Sequence, residues 1–145
     1  MTQKKLVVAY DGSPNSKNAL KLGGEIAKAL GAEVALVSVV DTGMSLFGFG
    51  EMDAREFEQV QQARARFGQK TVEAGGALAE EWGIPVTPVL LEGDPAEELI
   101  RYCEKEQASM IIVGPRGLSG FQSLLLGSIT QKILGHSHIP VVVAK

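Results

Sequence analysis

Residues 5–20 read KLVVAYDGSPNSKNAL. Lys5 to Tyr10 is a short run rich in branched apolar residues, with no alternation of polar and apolar side chains. A strand buried on both faces has this pattern, and such strands occur in parallel sheets. Asp11 and Gly12 break the run. Ser13 followed by Pro14 is the signature of a helix start: a hydroxyl cap, then proline at the first helical position. Ala19, Leu20, Gly23, Ile26, Ala27 and Leu30 recur at helical spacing, and Gly31 marks the stop. The segment is one strand–turn–helix unit.

The unit repeats along the chain. AEVALVSVV at 32–40 is a second buried strand. The irregular stretch 41–52, DTGMSLFGFGEM, reads as a loop, in which Met44, Phe47 and Phe49 would either cover a ligand or partner or have no task. A long polar helix is expected from about Asp53 to Trp82, with Phe57, Val60, Arg64, Phe67 and Val72 on a partly apolar face and Gly83 and Pro85 ending it. IPVTPVLLEG at 84–93 is a third strand whose two prolines suit an edge or a strand start. DPAEELIRYCEKEQA at 94–108 carries Asp94 as a cap, Pro95 behind it and Glu97 at the capping-box position, with Leu99, Ile100 and Cys103 facing inward. SMIIVG is a fourth strand, a helix is expected from about Ser128 to Leu134 or a little beyond, and IPVVVAK is a fifth strand. Strands alternating with helices imply an α/β fold: an open parallel five-stranded sheet, helices on both faces, in a single domain over 1–145.

Composition limits the function. The chain has 145 residues, 45% of them apolar, and a net charge of −3 with both signs mixed. No basic face for a general nucleic-acid partner is expected. One cysteine excludes an intrachain disulfide, and one cysteine with two histidines is a poor set of metal ligands. No apolar run approaches the roughly 20 residues that a membrane helix needs, and the N-terminus does not read as a signal peptide. A cytoplasmic location is expected.

The chemistry concentrates between the fourth strand and the last helix. Gly114, Gly117, Gly120 and Gly127 punctuate VGPRGLSGFQSLLLGSIT, and Ser128 follows the last of them. In open parallel sheets, ligands lie beyond the carboxyl ends of the strands, where strand order reverses. The loops DGS and GPRG would meet there if strands one and four are neighbours. Glycines at 114 and 117 would let backbone N–H groups approach an anion. Gly127 and Ser128 stand at a helix start, which favours phosphate, and Arg116 would add a cation or remain a solvated loop residue. The GxxxxGK[ST] and GxGxxG phosphate motifs are absent. A tight loop whose glycines serve only turns and helix packing is the competing reading.

Gly114, two residues, Gly117, nine residues, then Gly127 and Ser128 resembles the nucleotide motif of the universal stress protein family, in its ATP-binding subclass. LVVAYDGSPNSKNAL, ALVSVVD, GDPAEELI and the stretch from Ile111 to Lys145 resemble the family in order and spacing, with residues 41–60 matching least. The resemblance implies a doubly wound, Rossmann-like sheet of order 3-2-1-4-5, of the adenine nucleotide alpha hydrolase-like type. It implies a homodimer, and ATP with Mg2+ at the ends of strands one and four. By matching position, Asp11 would contact the ribose side or the metal. Ala9 and Tyr10 would line the base pocket, and Val39 would offer backbone hydrogen bonds to the adenine. Val113 and Gly114 would border the sugar. Gly117, Gly127, Ser128 and Ile129 would hold phosphates. Ser38 stands where the family often has histidine.

Other residues have plainer expectations. Asp11 taken alone is a turn residue, Ser13 a cap and Cys103 a small core residue. His136 and His138 finish the last helix. Ser119, Ser123 and Ser128 are possible phosphate acceptors, although most loop serines are not. In the implied order the fifth strand is an apolar edge, and pairing with a symmetry mate through 139–144 would hide it. Three functions are open: a nucleotide-dependent regulatory protein of stress response, a slow ATPase or phosphoryl-transfer enzyme, and a dimeric scaffold without nucleotide. The first is favoured, because no histidine, glutamate or lysine stands in the motif as a general base.

Overall fold

The computed structural model describes residues 3–42, 53–116 and 126–145. The chain runs β1 (Lys5–Ala9), α1 (Pro14–Leu30), β2 (Glu33–Asp41), α2 (Ala54–Glu81), β3 (Thr87–Gly93), α3 (Pro95–Lys105), β4 (Met110–Val113), α4 (Ser128–His136) and β5 (Val141–Val143). The five strands form one sheet in the order β3-β2-β1-β4-β5. Every pair is parallel: Val7 aligns with Ala35 on one side and with Ile111 on the other. The fold is the open, doubly wound α/β sheet.

Strand alternation builds two cores. Leu6, Val8 and Tyr10 join Val34, Leu36 and Ile112 beneath α1 and α2. Val7 joins Ala35, Val37, Ile111 and Val113 beneath α3 and α4, with Leu99, Cys103 and Ile133 from those helices. The central strands need apolar side chains in both directions, which is why they read as continuous runs. The neighbouring strands β1 and β4 send their following helices to opposite faces. A crevice opens between them at the carboxyl edge of the sheet.

The helix signals act as expected. Ser13 Oγ accepts from the N–H of Ser16 at 3.1 Å, and Gly31 closes α1 in the left-handed region at φ 64°. Asp53 and Asp94 cap α2 and α3 through the N–H groups of Glu56 and Glu97. His136 is the last residue of α4 and Ser137 its C-cap, so His138, expected to help finish the helix, lies beyond it.

The boundaries differ from expectation at several elements: β1 ends at Ala9 rather than Tyr10, and β5 is Val141–Val143 within the expected 139–145. Strand β2 runs on to Asp41, where Thr42 N–H reaches Gly93 O at 3.3 Å. Strand β3 starts at Thr87 rather than at Ile84, because Ile84 N–H closes the end of α2 on Ala79 O. Pro88 lies within β3, which is an edge strand, the place where a missing ladder N–H is tolerated. Helix α3 stops at Lys105, with Gln107 left-handed at φ 53° and Ala108 N–H on Cys103 O.

The buried stripe of α2 also differs. It is made of Gly68, Val72, Gly75 and Ala79, whereas Phe67 is 63% exposed. A Cβ on Gly75 would lie 2.7 Å from Tyr10 Cε1, and one on Gly68 would lie 2.5 Å from Val40 Cγ2. The helix backbone rests directly on the sheet, and small residues rather than large apolar ones make the contact.

Candidate functional site

The site begins at the carboxyl end of β1. Tyr10 N–H donates to Val37 O at 2.8 Å, and Ser38 Oγ donates to Tyr10 O at 2.6 Å. These bonds hold the end of β1 against β2. Asp11 Oδ1 then accepts from Ser13 N–H at 2.9 Å, and the turn passes through Gly12 at φ 84°. That sign of φ favours glycine. Ser16 Oγ donates to Ser13 O and accepts from Asp11 N–H. Asp11 is thus a turn residue at one carboxylate oxygen, and its side chain also stands on the wall of a cavity.

The end of β4 is fastened from two sides. Thr130 Oγ1 of α4 donates to Gly114 O at 2.9 Å, and Asn15 Nδ2 of α1 donates to Arg116 O at 3.4 Å. A Cβ on Gly114 would fall 2.8 Å from Asn15 Cβ and 3.1 Å from its carbonyl carbon. Glycine at 114 is therefore demanded by the first turn of α1, whatever ligand lies nearby. Gly127 is different. It has an ordinary φ of −64°, and the nearest atom to an added Cβ is Arg116 Cα at 3.4 Å. Neither its conformation nor a clash with the described residues requires glycine there. Its N–H donates to Pro115 O at 2.7 Å, and it stands as the N-cap of α4 without a side-chain cap bond. The first N–H groups of α4 itself have no acceptor within the helix.

Between these strand ends lies a cavity of about 650 Å³. Its floor is Ala9, Tyr10, Val37, Val39 and Val113, with Ser38 and Gly114 beside them. Asp11, Arg116, Ile129 and Thr130 stand on the α4 side. Asp41, Val60, Ala63, Arg64, Phe67 and Thr71 stand on the α2 side. Most of the lining is apolar, with a few polar groups at the margins, the usual make-up of a small-molecule pocket. Burial, then the neighbouring Asp11 carboxylate, push the Tyr10 hydroxyl above its ordinary pKa, so it stays neutral.

Of the residues expected at the site, the cavity brings together Ala9, Tyr10, Asp11, Val39, Val113, Gly114, Arg116 and Ile129. Gly127 and Ser128 stand at the start of α4, next to Ile129 and off the cavity lining. Gly117, Ser119, Ser123, Met44, Phe47 and Phe49 lie outside the described residues. Sequence reasoning missed the α2 wall. Its polar anchor is Arg64, whose Nη1 donates to Asp41 O at 3.0 Å. The available signal was a cation placed within an apolar row, between Val60 and Phe67.

Among the described residues no group of three or more His, Cys, Asp or Glu side chains is placed to hold a metal ion. Among the described residues, no helix is long and apolar enough to cross a membrane.

The model of the universal stress protein family matches residues 2–145. The chain belongs to that family. A universal stress protein of Methanocaldococcus jannaschii is 34% identical over 142 residues, 98% of this chain and 82% of that one. The universal stress protein YxiE of Bacillus subtilis is 30% identical, covering 97% of this chain and 98% of that one. Among solved structures, the universal stress protein UspA of Lactobacillus plantarum superposes with a TM-score of 0.82 over the whole of both chains, at 16% identity. Other universal stress proteins of this fold are solved with small molecules. One from Archaeoglobus fulgidus is in complex with dAMP (TM-score 0.67, 18% identity, 99% of this chain and 98% of that one). One from Arabidopsis thaliana has AMP bound (TM-score 0.68, 18% identity, 98% and 91%).

Proposed function

We propose that this universal stress protein binds an adenine nucleotide, ATP with Mg2+, in the cavity between β1, β2 and β4, and acts as a nucleotide-dependent regulatory protein. The observation that carries the reading is the cavity itself. It joins two separate glycine-bearing loops at the switch point of the sheet, and it has the size and apolar character of a small-molecule site. Gly127 adds support, since packing among the described residues gives no reason for glycine there. The adenine nucleotides in relatives of the same fold point the same way.

In this reading Arg116, Gly117, Gly127, Ser128 and Ile129 surround the phosphates, and the amino end of α4 faces their charge. Val113 and Gly114 border the sugar, and Val39 meets the base. Asp11 is one carboxylate and fits a magnesium ion carried by the phosphates, which keeps most of its waters and takes only one or two protein carboxylates. It does not by itself build a metal cage. The protein acts as a homodimer through residues 139–144, where β5 forms an edge of the sheet.

The test is calorimetric titration of purified protein with ATP and Mg2+, with AMP for comparison, after mass spectrometry of any molecule that co-purifies. Micromolar binding that needs the triphosphate supports the reading. A folded, ligand-stripped dimer that binds neither nucleotide would return the chain to the scaffold reading. Release of phosphate above background would instead make it an ATPase.

A further inference from the structure

We propose that α2 supplies the face on which the base lies, with Phe67 as the stacking group. The inference rests on the nucleotide reading and specifies its base subsite.

The two ends of the cavity differ. Strand β1 lies between β2 and β4, so the α4 side and the α2 side are opposite walls. The amino end of a nine-residue helix and Arg116 stand on the first, a suitable place for phosphate. A nucleotide with its phosphates there extends its base toward the second.

Among the described residues, two aromatic side chains line the cavity, Tyr10 and Phe67. The Tyr10 ring is committed elsewhere. It is 5% exposed and lies directly under Gly75, where an added Cβ would come within 2.7 Å of Cε1. Phe67 is the reverse: a large apolar ring, mostly exposed, on a helix whose core contact is made by Gly68, Val72, Gly75 and Ala79. Packing among the described residues does not account for Phe67, and its place on the cavity wall does. Its stretch of helix is also held in position. Arg64, one turn earlier, bonds Asp41 O at the end of β2. The wall is therefore tied to the strand whose Val39 and Val40 form the adjoining surface. A flat aromatic base presents a π-face to any such ring, so the contact adds affinity for a base without choosing among bases.

The experiment compares wild type, Phe67→Ala and Phe67→Trp, titrated with ATP·Mg2+ and with inorganic triphosphate·Mg2+, which has no base. Phe67→Ala is expected to weaken ATP about tenfold or more, the range of a lost base–aromatic stack. Its affinity for triphosphate should stay at the wild-type value, and Phe67→Trp should keep ATP affinity. If wild type binds ATP and Phe67→Ala binds it equally well, this inference fails alone. If Phe67→Ala weakens ATP and triphosphate by the same factor, Phe67 shapes the site rather than stacking, and the inference is overturned. If wild type binds neither, the nucleotide reading fails and the base wall with it.

Discussion

Asp11 does two things with one carboxylate. Its Oδ1 accepts the Ser13 N–H at 2.9 Å and so sets the turn that starts α1. In the proposed complex its charge also meets the magnesium ion. Asparagine separates the two roles, because its amide oxygen can take the same N–H without the charge. Asp11→Asn should leave the unfolding free energy within about 0.5 kcal/mol of wild type, whereas Asp11→Ala should lose about 1 kcal/mol with the turn bond. The asparagine variant should weaken ATP·Mg2+ about tenfold, the scale of one charge-assisted contact. AMP without magnesium should bind as before. Urea melts and calorimetry check both halves, and an unchanged ATP·Mg2+ affinity would remove Asp11 from the metal.

At the scale of the element, α2 shows how close packing is encoded by what is missing. Its row of Gly68, Val72, Gly75 and Ala79 has the spacing of a helix face but little apolar bulk. The helix therefore approaches β2 and β3 closely, and its larger side chains move to the flanks. Gly75→Ala would place a methyl within 2.7 and 2.8 Å of the Tyr10 ring and 2.9 Å of Leu36 Cδ2. Overpacking of this kind costs about 1–3 kcal/mol, more than the roughly 1 kcal/mol that alanine contributes over glycine within a helix. Net destabilisation in urea is expected. Gly135→Ala is the control: no neighbouring atom of the described residues lies within 4 Å of an added Cβ, and stability should hold or rise slightly. Gly75→Ala as stable as wild type would mean that α2 is free to lift off the sheet.

Two properties belong to the whole molecule. The first is the open edge at β5. Ala144 N–H donates inward to Val113 O at 2.8 Å. Alternation along the strand then turns the Val143 N–H away from β4, toward any pairing chain. Val143→Pro removes that donor from each protomer. Two lost bonds of about 1 kcal/mol each should raise the dissociation constant of the proposed dimer about 30-fold. Sedimentation equilibrium would read the change, and a wild-type monomer at all concentrations would rule out the edge pairing. The second property is alkaline sensitivity. Burial, followed by Glu104, pushes the Cys103 thiol from 9.0 in an open chain to about 12. Burial also raises the Tyr10 and Tyr102 hydroxyls above 10.0. The folded chain holds these protons to higher pH than the unfolded chain does. Their contribution is complete below about pH 9 and is lost as pH rises from there through about 12. Cys103→Ala should flatten the fall of unfolding free energy with pH over that window, measured in urea at each pH.

Local signals were enough for the elements. Caps at Ser13, Asp53 and Asp94, the stop at Gly31 and the unbroken apolar strands act between near neighbours in the chain, so the sequence carries them directly. The strand order and the membership of one cavity by Asp11, Val39 and Gly114 were legible through family resemblance, because those motifs keep their spacing. The α2 wall was not. Arg64 and Phe67 stand more than twenty residues from Val39 and read as part of an ordinary apolar row. Even the glycines were ambiguous in sequence. Gly114 is required by Asn15, 99 residues away in the chain and in contact in the fold, while Gly127 is required by nothing among the described residues. By itself the sequence determined where strands and helices form, since that depends on side-chain period and capping. Only the tertiary structure decided which helix face meets the sheet and which side chains remain to meet a ligand, because close approach of backbones is a property of the packed chain.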